Sequence, residues 1–245
     1  YQNSPEAVAN LDPRSDLNVK RELLSSLDKM KDHDNKGFMK VWGEYRNQSY
    51  GLIYGDSKAA FNLKQEPQSV RSIYGDSDIG RNLCLARRLV EAGTRVVNIH
   101  YGGFDLHWDI KQGMEARTRP LDKALAAFIQ DIKSRGMDKD VMLVCVSEFG
   151  RTKLNNGFFN GIQYSSGRDH YPLQTGLIIS GGDSEMGRTF GETDKYMMTP
   201  KSNIVTPTNL IGLIFKHFSI DPNTQKIDLS GRPRYFLGEG HESIL

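Results

Sequence analysis

The stretches Arg95-Val-Val-Asn-Ile-His100 and Val141-Met-Leu-Val-Cys-Val146 decide the fold class. Both read as buried strands, the second almost wholly apolar. Between them, Leu121, Leu125, Phe128, Ile129 and Ile132 share one face of a helix, with Pro120 near its first turn and Gly136 at its end. Strand, crossover helix and apolar strand make a βαβ unit, which predicts parallel strands covered on both faces. Farther on, Thr175–Ser180 reads as a third strand closed by Gly181-Gly182. Thr208–Phe218 reads as a last amphipathic helix, entered through Thr206-Pro207 and left at Asp221-Pro222. The expected class is α/β, with residues 95–245 as its core.

Upstream, residues 1–94 read as a mostly helical region of the same structural domain. Asp16 caps a first helix in which Leu17, Leu23, Leu24, Leu27 and Met30 form an apolar stripe. Phe38, Val41, Trp42 and Tyr45 mark a second helix. Ile79, Leu83, Ala86 and Val90 mark a third, stopped by Gly93. The pentapeptide Ile-Tyr-Gly-Asp-Ser occurs at 53–57 and again at 73–77. A glycine that ends one helix and an Asp or Ser that caps the next account for it without a functional site.

The chain has 245 residues, and 32 Lys+Arg against 30 Asp+Glu leave a net charge of +2. So even a balance argues against a nucleic-acid footprint spread over the whole protein. Two cysteines, Cys84 and Cys145, exclude a disulfide-stapled scaffold and read as small buried hydrophobes. No apolar run reaches the roughly 18–20 residues of a membrane span. The chain begins at Tyr1, which leads us to expect a processed protein or a fragment.

In open parallel sheets, ligands bind beyond the carboxyl ends of the strands. The first strand runs into Tyr101-Gly-Gly-Phe-Asp105-Leu-His107-Trp-Asp109, and the second into Ser147-Glu148-Phe149-Gly150-Arg151-Thr152. Gly167-Arg168-Asp169-His170-Tyr171-Pro172 lies between the second and third strands. All three segments are expected on one rim. Asp105 and His107 are two apart, so an extended backbone turns both to one side. With His170 they form a carboxylate–imidazole set suited to a divalent ion, and three ligands leave an open position for water or substrate. Arg151 and Arg168 suit a bidentate grip on a phosphate or sulfate ester. Plainer uses stand beside these: loop hydrogen bonding for Asp105 and His107, and an Arg151–Glu148 pair. His100 reads as a rim or core histidine and His33 as solvated surface, while His217 and His241 have no evident partner.

Gly-Gly-Phe-Asp-x-His (102–107), Ser-Glu-Phe-Gly-Arg-Thr (147–152), Gly-Arg-Asp-His-Tyr-Pro (167–172) and Val-Thr-Pro-Thr-Asn-Leu (205–210), in that order, resemble a large bacterial family. It is an uncharacterised, sulfatase-like domain-of-unknown-function family of the alkaline phosphatase superfamily. Leu85–Gly93 resembles it too, and the likeness covers roughly residues 15–240. The resemblance implies a three-layer sandwich with a mostly parallel sheet, of which this chain is the C-terminal part. It implies hydrolysis of an anionic phosphate, sulfate or saccharide ester, with zinc, manganese or calcium held by Asp105, His107 and His170. Glu148, Arg151 and Arg168 take the catalytic positions. Phe149 departs from the Asp-His pair that the superfamily uses for a second metal. The superfamily's Ser, Thr or modified Cys nucleophile sits on a first strand expected upstream of Tyr1, in a missing part that completes the sheet. Export to the periplasm or the exterior is implied as well. A non-catalytic exported binding or scaffold protein is the alternative, and group transfer in the manner of a phosphomutase would use the same residues.

Overall fold

A computed structural model describes residues 22–23, 43–45, 56–153, 158–159, 162–163, 167–182 and 186–237. The helices expected at Asp16–Met30 and Phe38–Tyr45 lie outside these, apart from 22–23 and 43–45, which are helical. The chain forms two compact units: residues 1–101 with 120–128, and residues 102–119 with 129–245.

In the first unit, α1 (Asp56–Ala60) and a 3-10 turn (Leu63–Gln65) lead to α2 (Gln68–Tyr74) and α3 (Asp78–Glu91). The second Ile-Tyr-Gly-Asp-Ser copy is the joint between the last two. Gly75 ends α2 at φ +80°, a conformation that costs a glycine little. The Ser77 side chain then accepts the Gly80 N–H at 3.2 Å and caps α3. α3 buries Ile79, Leu83, Cys84, Leu85 and Ala86, and past its end Thr94 N–H closes on the Leu89 carbonyl. Two arginines tie this helix to the turn before it. Arg88 donates to the Ala60 and Ala59 carbonyls at 2.8 Å each, at the open end of α1, where Ala59 also accepts the Asn62 N–H. Its Nη1 meets Glu66 Oε2 at 2.6 Å, while Arg87, 1% exposed, meets Glu66 Oε1 at 2.7 Å and Glu91 at 2.6 Å. Burial opposes ionisation of Glu66, but hydrogen bonds from Arg87 and Arg88 override it and hold the carboxyl below its usual range.

α4 (Ile110–Ser134) contributes to both units. Its start corrects the sequence reading: Pro120 sits in the interior, not in the first turn. Proline removes one N–H and with it one backbone hydrogen bond. Just before it, the Arg117 and Thr118 side chains donate to the Gly113 and Met114 carbonyls at 3.0 and 2.7 Å, folding back onto the preceding turn.

The second unit holds ten short strands in five pairs among the described residues, all of them antiparallel. β1 (Met142–Val146) pairs with β6 (Leu177–Gly181), with Val146 opposite Leu177. β2 (Gly150–Arg151) pairs with β5 (His170–Tyr171), and β3 (Phe158–Phe159) with β4 (Ile162–Gln163). β7 (Glu192–Thr193) pairs with β8 (Pro200–Ser202), and β9 (Gln225–Ile227) with β10 (Pro233–Tyr235). α5 (Pro207–His217) starts at a capping box, in which Thr206 and Asn209 satisfy each other's backbone N–H. No helix among the described residues is long and apolar enough to cross a membrane.

The chain is α/β in the general sense of mixed helix and strand. The expected parallel pairing of 95–100 with 141–146 is corrected. Residues 95–100 carry no ladder, and Val96 is 70% exposed. They belong to the first unit and β1 to the second. The expected burial is corrected too: Val97 and Ile99 are half-buried and the other four of residues 95–100 are exposed, so apolar composition fixed neither burial nor the hydrogen-bonded neighbour that defines a strand. The partner of β1 is β6, which returns after a 30-residue excursion in the opposite direction.

Candidate metal centre

That excursion carries two of the polar segments, and β2–β5 joins them by setting Arg151 opposite His170. Beyond this two-residue ladder, Thr152 N–H donates to the Asp169 carbonyl and Asp169 N–H to Thr152 Oγ1, both at 3.0 Å. The third segment is shaped by a tight turn, Leu106 N–H to the Phe104 carbonyl at 2.8 Å. Leu106 lies against Gly113 of α4, leaving the residues on either side of it to the site.

Arg151 is the clasp. Its Nη2 donates to the Phe104 carbonyl and to Asp105 Oδ1 at 2.9 Å each, and its Nη1 donates to the Arg168 carbonyl at 3.1 Å. One guanidinium thus joins all three segments. The convergence expected from strand ends is present, produced by an antiparallel ladder and an arginine. Arg151 pairs with Asp105 and not with Glu148.

Asp105 Oδ1 is the meeting point. It lies 2.7 Å from His170 Nε2, 2.9 Å from Arg151 Nη2 and 3.0 Å from His107 Nε2. The His170 hydrogen bond, then that of Arg151, with the charge of His107 adding, holds the Asp105 carboxyl far below the usual carboxylate range. Phe149, the departure from the resemblance, stacks on His170 with ring centroids 4.3 Å apart.

One ligand atom from each of Asp105, His107 and His170 falls within 4.8 Å of the others. Ligand distances of about 2.0–2.2 Å place tetrahedral donors roughly 3.3–3.6 Å apart, so small side-chain movements close the set on one ion. One carboxylate and two imidazoles suit a borderline divalent ion such as zinc or manganese better than calcium, which prefers oxygen throughout. The donors fit.

Glu148 is exposed and lies outside the ligand group, with no ion pair among the described residues. Arg168 is half-buried; its Nη1 donates to the Gly167 carbonyl at 2.9 Å. His100 is exposed and lies outside the group as well, and His217 packs edge-on to Phe218. His33 and His241 lie outside the described residues. Cys84 is buried as expected; Cys145 is only half-buried, enough to push its thiol up. Sequence reasoning missed Asp169, whose Oδ1 faces His107 Nδ1 at 3.5 Å. Its position beside His170 in the third motif was the available signal.

Gly167 holds the segments close from another side, because a Cβ there would overlap the His107 carbonyl. Gly167→Ala should push 105–107 off the β5 side. The expected cost is about 1–3 kcal/mol of stability, as for overpacking elsewhere, together with a loosened ligand set. A thermal melt and a metal titration on the same sample check both.

No curated protein and no solved structure matches the chain. A family model does: that of the protein of unknown function DUF1501, over residues 2–244, and the chain belongs to that family.

Proposed function

We propose that this protein is a hydrolase of phosphate or sulfate esters that uses one divalent metal ion, bound by Asp105, His107 and His170. The observation that carries the reading is the convergence of these three donors from two separate segments, with Arg151 bracing Asp105. A divalent ion there supplies Lewis acidity and lowers the pKa of a bound water. Arg168, with Nε and Nη2 making no hydrogen bond among the described residues, attracts the ester anion in this reading. Arg151, occupied on both terminal nitrogens, positions Asp105 instead of meeting substrate. Glu148, exposed on the loop after β1, would act as the general base in this reading. The resemblance adds the wider setting: an exported protein whose β1 and β6 belong to a larger alkaline phosphatase-like sheet.

The first test is calorimetric titration of the chelator-stripped protein with Zn²⁺, Mn²⁺ and Ca²⁺. One equivalent of Zn²⁺ or Mn²⁺ should bind. His107→Ala and His170→Ala should each lose more than about 100-fold in affinity, beyond the 10–100-fold typical of groups that only support a ligand. Unchanged binding in both variants would sink the metal centre. Aryl phosphate and aryl sulfate turnover by the metal-loaded protein, abolished by chelator, then decides the ester class. The second reading, a non-catalytic binding or scaffold protein, is favoured by Phe149 at a ligand position and by Glu148, exposed and without an ion pair among the described residues. Metal binding without turnover of either ester would select it.

A further inference from the structure

His107 offers its two ring nitrogens to two different carboxylates. Nε2 lies 3.0 Å from Asp105 Oδ1, on the side where the donors converge, and Nδ1 lies 3.5 Å from Asp169 Oδ1. A neutral imidazole binds an ion through one nitrogen and keeps a proton on the other. Whatever accepts that second N–H decides the tautomer and the tilt of the ring. We infer that Asp169 is the positioning residue of the centre: it holds the Nδ1–H of His107 and so keeps Nε2 aimed at the ion. This rests on the metal-centre reading above.

The main chain of Asp169 is already committed elsewhere. Its carbonyl and N–H both engage Thr152, and its neighbours are Arg168, whose carbonyl takes Arg151, and the ligand His170. The side chain is therefore pinned at its root without contributing to the ladder. Its carboxylate is 46% exposed and makes no other ion pair among the described residues. Asp169 faces the far nitrogen of the ring, a ring's width from the convergence of donors, which suits a supporting group and not a fourth ligand. The arrangement also explains why one short segment, Asp169-His170, serves the centre twice: once through a ligand and once through the group that orients another.

The test is Zn²⁺ affinity of the full chain and its Asp169→Ala and Asp169→Asn variants, with ¹⁵N NMR of the histidine rings in the Zn²⁺ form. Wild type should show a water-protected Nδ1–H on His107. Asp169→Ala should lose that signal and about 10–100-fold in affinity. Asp169→Asn, which keeps an acceptor oxygen but no charge, should fall between. Thermal midpoints should barely move, because the backbone bonds to Thr152 survive both changes. Affinity within two-fold of wild type in both variants, with the Nδ1–H signal unchanged, overturns the positioning role while leaving the metal centre standing. Absence of Zn²⁺ binding by wild type overturns the metal centre, and this role with it.

Discussion

Glu66→Ala should destabilise the protein by about 3–5 kcal/mol and lower its thermal midpoint by roughly 6–20 °C. Glu66 is 6% exposed and answers two arginines at once, Arg87 at 2.7 Å and Arg88 at 2.6 Å. Removing it leaves two guanidinium groups facing each other in the interior, with Glu91 the remaining carboxylate partner of Arg87 in the cluster. An uncompensated buried charge costs far more than an exposed pair contributes. The sign of the pH dependence follows. Because folding depresses the Glu66 pKa, its contribution is complete above the unfolded value of about 4.3 and is lost as pH falls through the folded one. Denaturant melts from pH 7 to pH 3 should therefore converge for wild type and variant at the acid end. A midpoint change under about 2 °C at pH 7 would mean that the cluster is not the brace of this unit.

Asp105→Ala should do the opposite: abolish metal binding and barely touch stability. The side chain is 69% exposed, and exposed ion pairs are worth about 0–1 kcal/mol. Yet its Oδ1 is the common contact of His170, His107 and Arg151. Without the carboxylate the set keeps two imidazoles next to an arginine, a poor place for a cation. We expect the loss to exceed about 100-fold in Zn²⁺ affinity, above the effect of any supporting residue. Asp105→Asn separates charge from geometry, since the amide oxygen still accepts from Arg151 while the anion is gone. Its depressed pKa gives the same direction as for Glu66: the contacts on Oδ1 persist below about pH 3.9, where a free aspartate takes up its proton, and are lost only as pH falls through the much lower folded value. A Zn²⁺ affinity in Asp105→Ala close to that of wild type would end the proposed centre.

The parts of the fold that were legible are those set by local chemistry. Gly75 and Ser77 stop and start helices by conformation and a single hydroxyl, and Thr206 with Asn209 does the same for α5, so the sequence carries these features in a few adjacent residues. Strand pairing is a long-range choice. Val141–Val146 announces a strand but not which neighbour it takes, and with β6 in reversed direction it is buried only at Val141, half-buried through Cys145 and exposed at Val146. The start of α4 was hidden for a related reason, since residues 110–119 carry few apolar residues and no apolar stripe marks them as helix. For the candidate site, residue type and spacing picked out Asp105, His107 and His170, and the fold brings these three together. Arg151 could be picked out as functional, but its role needed coordinates, because a clasp and an anion grip use the same side chain.

The exposure of the ligands has a practical consequence. Asp105, His107 and His170 are 69%, 34% and 46% exposed, so no lid of described residues stands between them and the medium. An ion held there would trade freely with its surroundings. What occupies the centre in any preparation would record the buffers and chelators that the sample has passed through, including any ion shed by a nickel column. Activity measured on such a protein is a property of its handling until the metal is put back deliberately.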